Sequence, residues 1–313
     1  MQVWVCVKMK LNKKLCSFRM VQRENPEAKA MESKVDIRPS PIAGQWYQAN
    51  ATRLAAQIDR FLEEAELPKI DGEIVGIMAP HAGHIYSGAV AGYAFAAVRG
   101  LTPDLVAVVS PMHYPYFEPI LTSAHSAYAT PLGTLLIAEE VLEQIDRQLQ
   151  SEIGIRLGRI SNDSEHSLEI ELPFLQRALT GTLRLVPIML RDQSERMAKA
   201  LGNALAKALS SHEISSYLLV ASTDLSHFYS QSTANQLDAE LLRQVEAFDP
   251  AGVIQSDELG KGFACGRGAL AAVMWAAKEL GARKAQVLKH ATSGDVTGDY
   301  DRVVGYGAAV FTR

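Results

Sequence analysis

The chain has few cysteines, few aromatics and no excess of positive charge. Three cysteines in 313 residues cannot all pair, which excludes a disulfide scaffold and makes a reducing cytosol the simplest compartment. No run approaches the 18 or more apolar residues of a membrane span. Acidic residues outnumber basic ones, 35 to 31, for a net charge of -4, which argues against a dedicated nucleic-acid binder. There is no low-complexity tract, internal repeat or long linker. Neither common glycine-rich phosphate loop is present, and no G-x-S-x-G elbow, C-x-x-C pair or H-E-x-x-H helix. ATP hydrolysis, nicotinamide binding through its usual fingerprint and serine-hydrolase chemistry lose weight accordingly. What is present is an ordinary globular composition, 48% hydrophobic and 21% charged, enough for a sizeable core.

The charge is uneven. Residues 1–30 hold seven basic and two acidic side chains, a net of +5, leaving 24 basic and 33 acidic residues, a net of -9, in the rest. Cys6 and Cys16 lie in this leader. Its apolar run, Val3 to Val7, precedes the lysines and is too short for a secretory signal. The leader reads as a poorly ordered basic tail or as sequence upstream of a start at Met31, with targeting a third reading. Residues 31–313 read as one domain.

In that body, helical and strand patterns alternate. Asn50 is a good N-cap, and Leu54, Ile58, Phe61 and Leu62 share one helical face. Continuous apolar runs predict buried strands at Ile74–Ala79, Leu105–Ser110, Leu183–Leu190 and Tyr217–Ser222, with further strands at Leu135–Ile137, Gln286–His290 and Val303–Phe311. Helices are expected over Tyr86–Val98, Glu139–Leu149, Leu168–Leu179, Glu195–Leu209, Ala234–Ala247 and Ala269–Leu280. Pro173 fits the third of these only near a first turn or at a kink. Strands without apolar-polar alternation need both sheet faces covered. The expected fold is α/β: a layered α/β/α domain around a mostly parallel or mixed sheet.

Ligands of open α/β sheets bind beyond the carboxyl ends of the strands. Three predicted strands deliver a histidine there: Pro80-His81-Ala82-Gly83-His84, Pro111-Met112-His113 and Thr223-Asp224-Leu225-Ser226-His227. Imidazole is both a common metal ligand and the usual general base. Cys265, between Ala264 and Gly266, precedes a predicted helix whose N-terminus would favour thiolate. Read alone it is as easily a small buried hydrophobe. Beside the strand-end histidines it completes a plausible metal set. In Asp163-Ser164-Glu165-His166-Ser167-Leu168-Glu169, the polar groups either orient metal-bound histidines or cap a helix, with Asp163 or Ser164 as N-cap. Ser293 to Asp299 reads as a simple turn.

These residues resemble the Memo family, whose prokaryotic members are called AmmeMemoRadiSam system protein B. The resemblance runs through Ile42-Ala43-Gly44-Gln45-Trp46-Tyr47, Pro80-His81-Ala82-Gly83, Tyr86-Ser87-Gly88, Pro111-Met112-His113 and Thr130-Pro131-Leu132-Gly133. It continues in Glu165-His166-Ser167-Leu168-Glu169, Leu172-Pro173-Phe174, Ser222 to His227, Cys265-Gly266, Ser293-Gly294-Asp295 and Val304-Gly305-Tyr306. These motifs stand in order from about Arg38 to the C-terminus; the leader is not covered. The resemblance implies a fold similar to class III extradiol dioxygenases and a metal pocket of His81, His113 and Cys265, with Asp224 and His227 in the same pocket. His84 stands where the family usually has tyrosine, which would change the pocket rim. Ser110-Pro111-Met112 stands where glycine and a small polar residue are commoner. A thiolate in place of the iron triad's carboxylate shifts preference toward copper or zinc, so ring cleavage is not carried over.

Three functions compete. The first is an oxidoreductase with iron or copper on His81, His113 and Cys265, His227 moving protons and Asp224 orienting it or binding substrate. Glu165, His166, Tyr86, Trp46 and His84 would surround this pocket. The second is a zinc-type hydrolase with Glu165 or His227 as base. The third is a peptide or phosphopeptide module with Trp46, Tyr47 and Tyr86 as contacts, although large aromatics mostly pack. The family's system name implies radical-SAM and AMMECR-type partner proteins. A cytoplasmic location is expected.

Overall fold

Hydrophobic runs and their punctuation set most element boundaries. A computed structural model describes residues 35–211, 214 and 216–313, so the expected leader and its two cysteines lie outside the described residues. Residues 36–313 form one compact unit. In chain order the elements are β1 (Ile37–Arg38), α1 (Ala51–Glu64), β2 (Ile74–Ala79), α2 (His84–Ala97), β3 (Leu105–Pro111), β4 (Ile120–Ser123), β5 (Ala127–Thr130) and β6 (Gly133–Leu136). Then come α3 (Glu139–Ile153), β7 (Gly158–Ile160), a 3-10 turn over Glu169–Glu171, α4 (Leu172–Ala178), β8 (Arg184–Leu190), α5 (Glu195–Leu209) and β9 (Tyr217–Ser222). The last are β10 (His227–Tyr229), α6 (Gln231–Glu246), α7 (Pro250–Glu258), α8 (Arg267–Glu279), β11 (Lys284–Thr292), α9 (Gly294–Thr297) and β12 (Val303–Thr312).

Nine strands make the main sheet. Four parallel strands in the order β2-β9-β3-β8 form its centre. β12 lies antiparallel beside β2, and β4 antiparallel beside β8, so the sheet is mixed. β10 and β11 pair with β12, and β7 with β4. Helices flank it as the continuous apolar strands require: α2 packs on β2, β11 and β12, and α8 on β3 and β9. β1, β5 and β6 form a separate small sheet.

The helix before β2 starts where its sequence demands. The Asn50 side chain accepts from the Arg53 N–H, and Leu54, Ile58, Phe61 and Leu62 are the buried face. The segment expected as one helix over Leu168–Leu179 is instead the 3-10 turn followed by α4, with Pro173 in the first turn, where no N–H is missed. The expected turn after Ser293 holds the short helix α9, stopped by Gly298 at φ 74°. Helix α7 has no strong period, yet its start is legible: Asp249 accepts from the Gly252 N–H and Pro250 opens the first turn.

Candidate metal centre

Parallel pairing brings the strand-end loops to one edge. Ala79 of β2 is in register with Ser222 of β9, so His81 and Asp224 leave the sheet side by side. The Asp224 carboxylate accepts from the backbone N–H of His81 at 2.7 Å and of Ala82 at 3.2 Å. From the next strand, the Met112 N–H donates to the Leu190 carbonyl at the end of β8, and His113 follows. Cys265 arrives from the α7–α8 loop. Its N–H donates to the Asp224 carbonyl at 3.2 Å, and its own carbonyl accepts from Gln193 Nε2 at 2.6 Å. Gly266 lets this loop approach: a Cβ there would lie 2.6 Å from the Ser222 carbonyl oxygen.

The result is a cluster of three donor atoms, from His81, His113 and Cys265, all within 4.8 Å of one another, which can hold a metal ion. His81 Nε2 is 3.1 Å from Cys265 Sγ. Both histidines have their other nitrogen engaged. His113 Nδ1 donates to Glu165 Oε1 at 2.9 Å, and His81 Nδ1 lies 3.0 Å from Ser222 Oγ. Such partners fix the tautomer and leave Nε2 for a ligand. Two imidazoles and a thiol form a donor set suited to iron, copper or zinc, so the residues fit the implied ion.

Glu165, His113 and His166 form a second group with donor atoms within 4.8 Å. Glu165 Oε1 is already saturated, accepting from His113 Nδ1, from the His166 N–H at 3.0 Å and from the Ser167 N–H at 2.9 Å. Its Oε2 takes the His113 N–H at 2.7 Å. This carboxylate is an orienting acceptor, and neither Asp163 nor Ser164 caps a helix. Burial would push Glu165 up, but the His113 bond with the backbone donors of Ser167 and His113 holds it well below the usual carboxylate range. Asp163 and Glu169 serve Arg38 instead. That guanidinium is 1% exposed and must be neutralised where it is buried, so it donates to both carboxylates.

Behind His81 the chemistry differs. Ser222 Oγ lies 2.6 Å from the Ser167 carbonyl and 2.8 Å from Glu171 Oε1. A hydroxyl has one proton, and the carbonyl has none to offer. The Ser222 proton therefore goes to Ser167, and Glu171 must donate its own to Ser222 Oγ. Burial pushes the Glu171 carboxyl well above its ordinary range, consistent with that neutral acid, and Glu171 Oε2 has no partner among the described residues. Burial likewise lifts Asp224 to about 7.

Burial and then the charge of Asp224 push the Cys265 thiol well up. Both act against the thiolate that the α8 N-terminus would favour. The thiol is the state that donates to His81 Nε2. Burial also lowers His81, well below its ordinary value, and His227.

His81 and His113 open into a cavity of about 750 Å³ lined also by His166, Asp224 and His227, with Trp46, Tyr86, Phe228 and Tyr306 among its walls. Trp46 stacks on His166 at 4.0 Å between ring centroids, and His166 on His113 at 4.9 Å. Burial takes His166 down to about 4. His227 Nε2 is buried in the wall with no partner among the described residues.

Two of the expected pocket residues lie elsewhere. His84 is buried behind the cavity between Tyr47 and Phe174, with Nε2 3.3 Å from the Ile170 carbonyl, and burial lowers it to about 4. Tyr47 donates to Glu169 at 2.7 Å and belongs to the core. Ser222, Glu171 and Gln193, which support the donors, and Arg302, which lines the cavity, are not among the expected site residues. Ser222 is legible as a strand end and as the first residue of the Ser222 to His227 motif, without a role in the site, and nothing local marks the others.

A family model described as Memo-like protein matches residues 38–310. The MEMO1 family protein of Nitrosopumilus maritimus is 34% identical over 280 residues, 88% of this chain and 99% of that relative. Its namesake from Pyrobaculum aerophilum is 32% identical over 289 residues, and that from Thermotoga maritima 34% over 283, each covering 99% of the relative and 88% and 87% of this chain.

Proposed function

The chain belongs to the Memo family, and we propose that it is a metal-dependent oxidoreductase acting on a small organic molecule in the cavity. The observation that carries this reading is the convergence of His81, His113 and Cys265, from three distant stretches of chain, within 4.8 Å. An iron or copper ion held by these residues would supply electron transfer and Lewis acidity.

The chain's own groups have separable tasks. His113 and His81 present Nε2, each held by its Nδ1 partner. Cys265 gives up its thiol proton to ligate, as thiols must. His227 offers an unengaged Nε2 to a proton of a bound molecule. Asp224, with one oxygen spent on the His81 and Ala82 amides, keeps the other for substrate. Trp46 and Tyr86 give the molecule a face to lie on.

The test is metal content of anaerobically purified protein, followed by titration with iron, copper and zinc and by oxygen consumption in a metabolite screen. Wild type should hold iron or copper, and a His81→Ala/Cys265→Ala double variant should not. Equal, poor binding by both proteins overturns the reading. Zinc-only activity without oxygen uptake would favour hydrolysis, since three ligands and an open position also suit a zinc-bound water. Co-purification with radical-SAM and AMMECR-type proteins tests the proposed partners.

A further inference from the structure

One wall of the cavity is not explained by the metal donors. Phe228 has φ 63°, a left-handed conformation that a bulky aromatic rarely adopts. It falls where β10 shifts register against β12, between His227 and Tyr229. Core packing does not hold it there, because the residue is 62% exposed. Backbone strain that packing does not explain concentrates at ligand clamps and active sites.

Arg302 lies over this ring, with Cζ 5.5 Å from the centroid. Among the described residues lining the cavity it is the one arginine or lysine. No hydrogen bond or ion pair engages its guanidinium among the described residues. Phe228 covers one face of the guanidinium and leaves its N–H edge open, the edge that forks onto a planar acceptor. The nearby Asp299, also in the lining, is turned to its own loop and accepts from the Asp301 N–H at 3.0 Å.

We infer that the ligand of this cavity is a small planar carboxylate, clamped by Arg302 on the Phe228 platform with its far end toward His81 and His113. This rests on the cavity being the substrate site. A single guanidinium matches one carboxylate in a bidentate pair. A phosphate dianion would need further donors and would meet Asp299 in the same cavity. Trp46, Tyr86 and Tyr306 supply the aromatic surfaces that suit a flat ligand.

Benzoate, its neutral isostere benzamide and phenyl phosphate are the probes, titrated calorimetrically into wild type, Arg302→Gln and Phe228→Gly with metal content measured on the same samples. Benzoate should bind wild type at least about tenfold more tightly than benzamide. Arg302→Gln should remove that preference and leave benzamide unchanged. Phe228→Gly should weaken benzoate while raising thermal stability, because glycine accepts positive φ without strain. No benzoate binding, equal binding of benzoate and benzamide, tighter phenyl phosphate, or benzoate affinity indifferent to Arg302 each overturns the inference. Normal metal content with no benzoate preference breaks the carboxylate clamp alone. Arg302-dependent benzoate binding in a protein without metal affinity upholds the clamp and breaks the metal reading.

Discussion

The two histidines of the candidate centre stand against opposite kinds of polar support. On the His113 side the acids are charged. Glu165 collects the imidazole and three backbone amides, while Asp163 and Glu169 share Arg38. On the His81 side no arginine or lysine pairs with the acids among the described residues. Ser222 faces a neutral Glu171, and Asp224 is lifted by burial to about 7. The same residue type thus behaves as an ion in one place and as an acid in the other, according to the donors within reach. A carboxylate partner makes an imidazole a stronger donor to a metal than a hydroxyl partner does. His113 should accordingly be the more electron-rich ligand and His81 the weaker one.

The most severe way to break this contrast is Arg38→Met. It strands two buried carboxylates, and loss of one partner from a buried ion pair costs about 3–5 kcal/mol. Chemical denaturation should show a loss of that size, and a loss under about 1 kcal/mol would mean the charged side does not depend on its arginine.

A finer test sets Glu165→Gln against Glu171→Gln. Glu165→Gln removes a charged acceptor and should lower metal affinity about 10–100-fold by chelator competition. Glu171→Gln exchanges one neutral donor for another and should change affinity far less. Their pH dependence should have opposite signs. Glu165 is held below its ordinary 4.5, so its contribution is fully present above that value and fades as pH falls further. Glu165→Gln should then be destabilised at neutral pH, the gap closing on acidification. Glu171 is held above 4.5, so wild type loses stability as pH rises from there. Glu171→Gln should be the more stable protein at neutral pH and no better below 4.5. Parallel pH profiles for the two variants would remove the distinction between the two sides.

This contrast also marks how far the sequence could be read. Strand ends at Ala79 and Ser222 follow from apolar runs stopped by proline or polar residues, and the run to Ser110 places the end of β3 one residue short of Pro111; with them comes the gathering of His81, His113 and Asp224 at one sheet edge. Cys265 joined them by its glycine neighbour and the family resemblance. The charge state behind each histidine was not legible. Arg38 meets Glu169 across 131 residues, and Ser222 meets Glu171 across 51, so no local period or spacing encodes either pair. In the small sheet only β6 overlaps an expected strand, Leu135–Ile137; β1 and β5, of two and four residues, are too short to show a period.

The mildest prediction concerns His84, which sits on the neutral side. It touches the carbonyl of Ile170, the residue before Glu171, through a long 3.3 Å contact, while its Nδ1 has no partner among the described residues. Burial lowers it to about 4, so at neutral pH it carries no charge for a neighbour to use. Replacing it with phenylalanine keeps the edge-on contact with Phe174 and the tilted one with Tyr47 and removes one weak hydrogen bond together with one unsatisfied nitrogen. These terms oppose each other, so His84→Phe should shift stability by less than about 1 kcal/mol and leave metal affinity unchanged. A loss of metal affinity in that variant, with its melting temperature intact, would place His84 in contact with the centre and erase the boundary between the neutral core and the cavity.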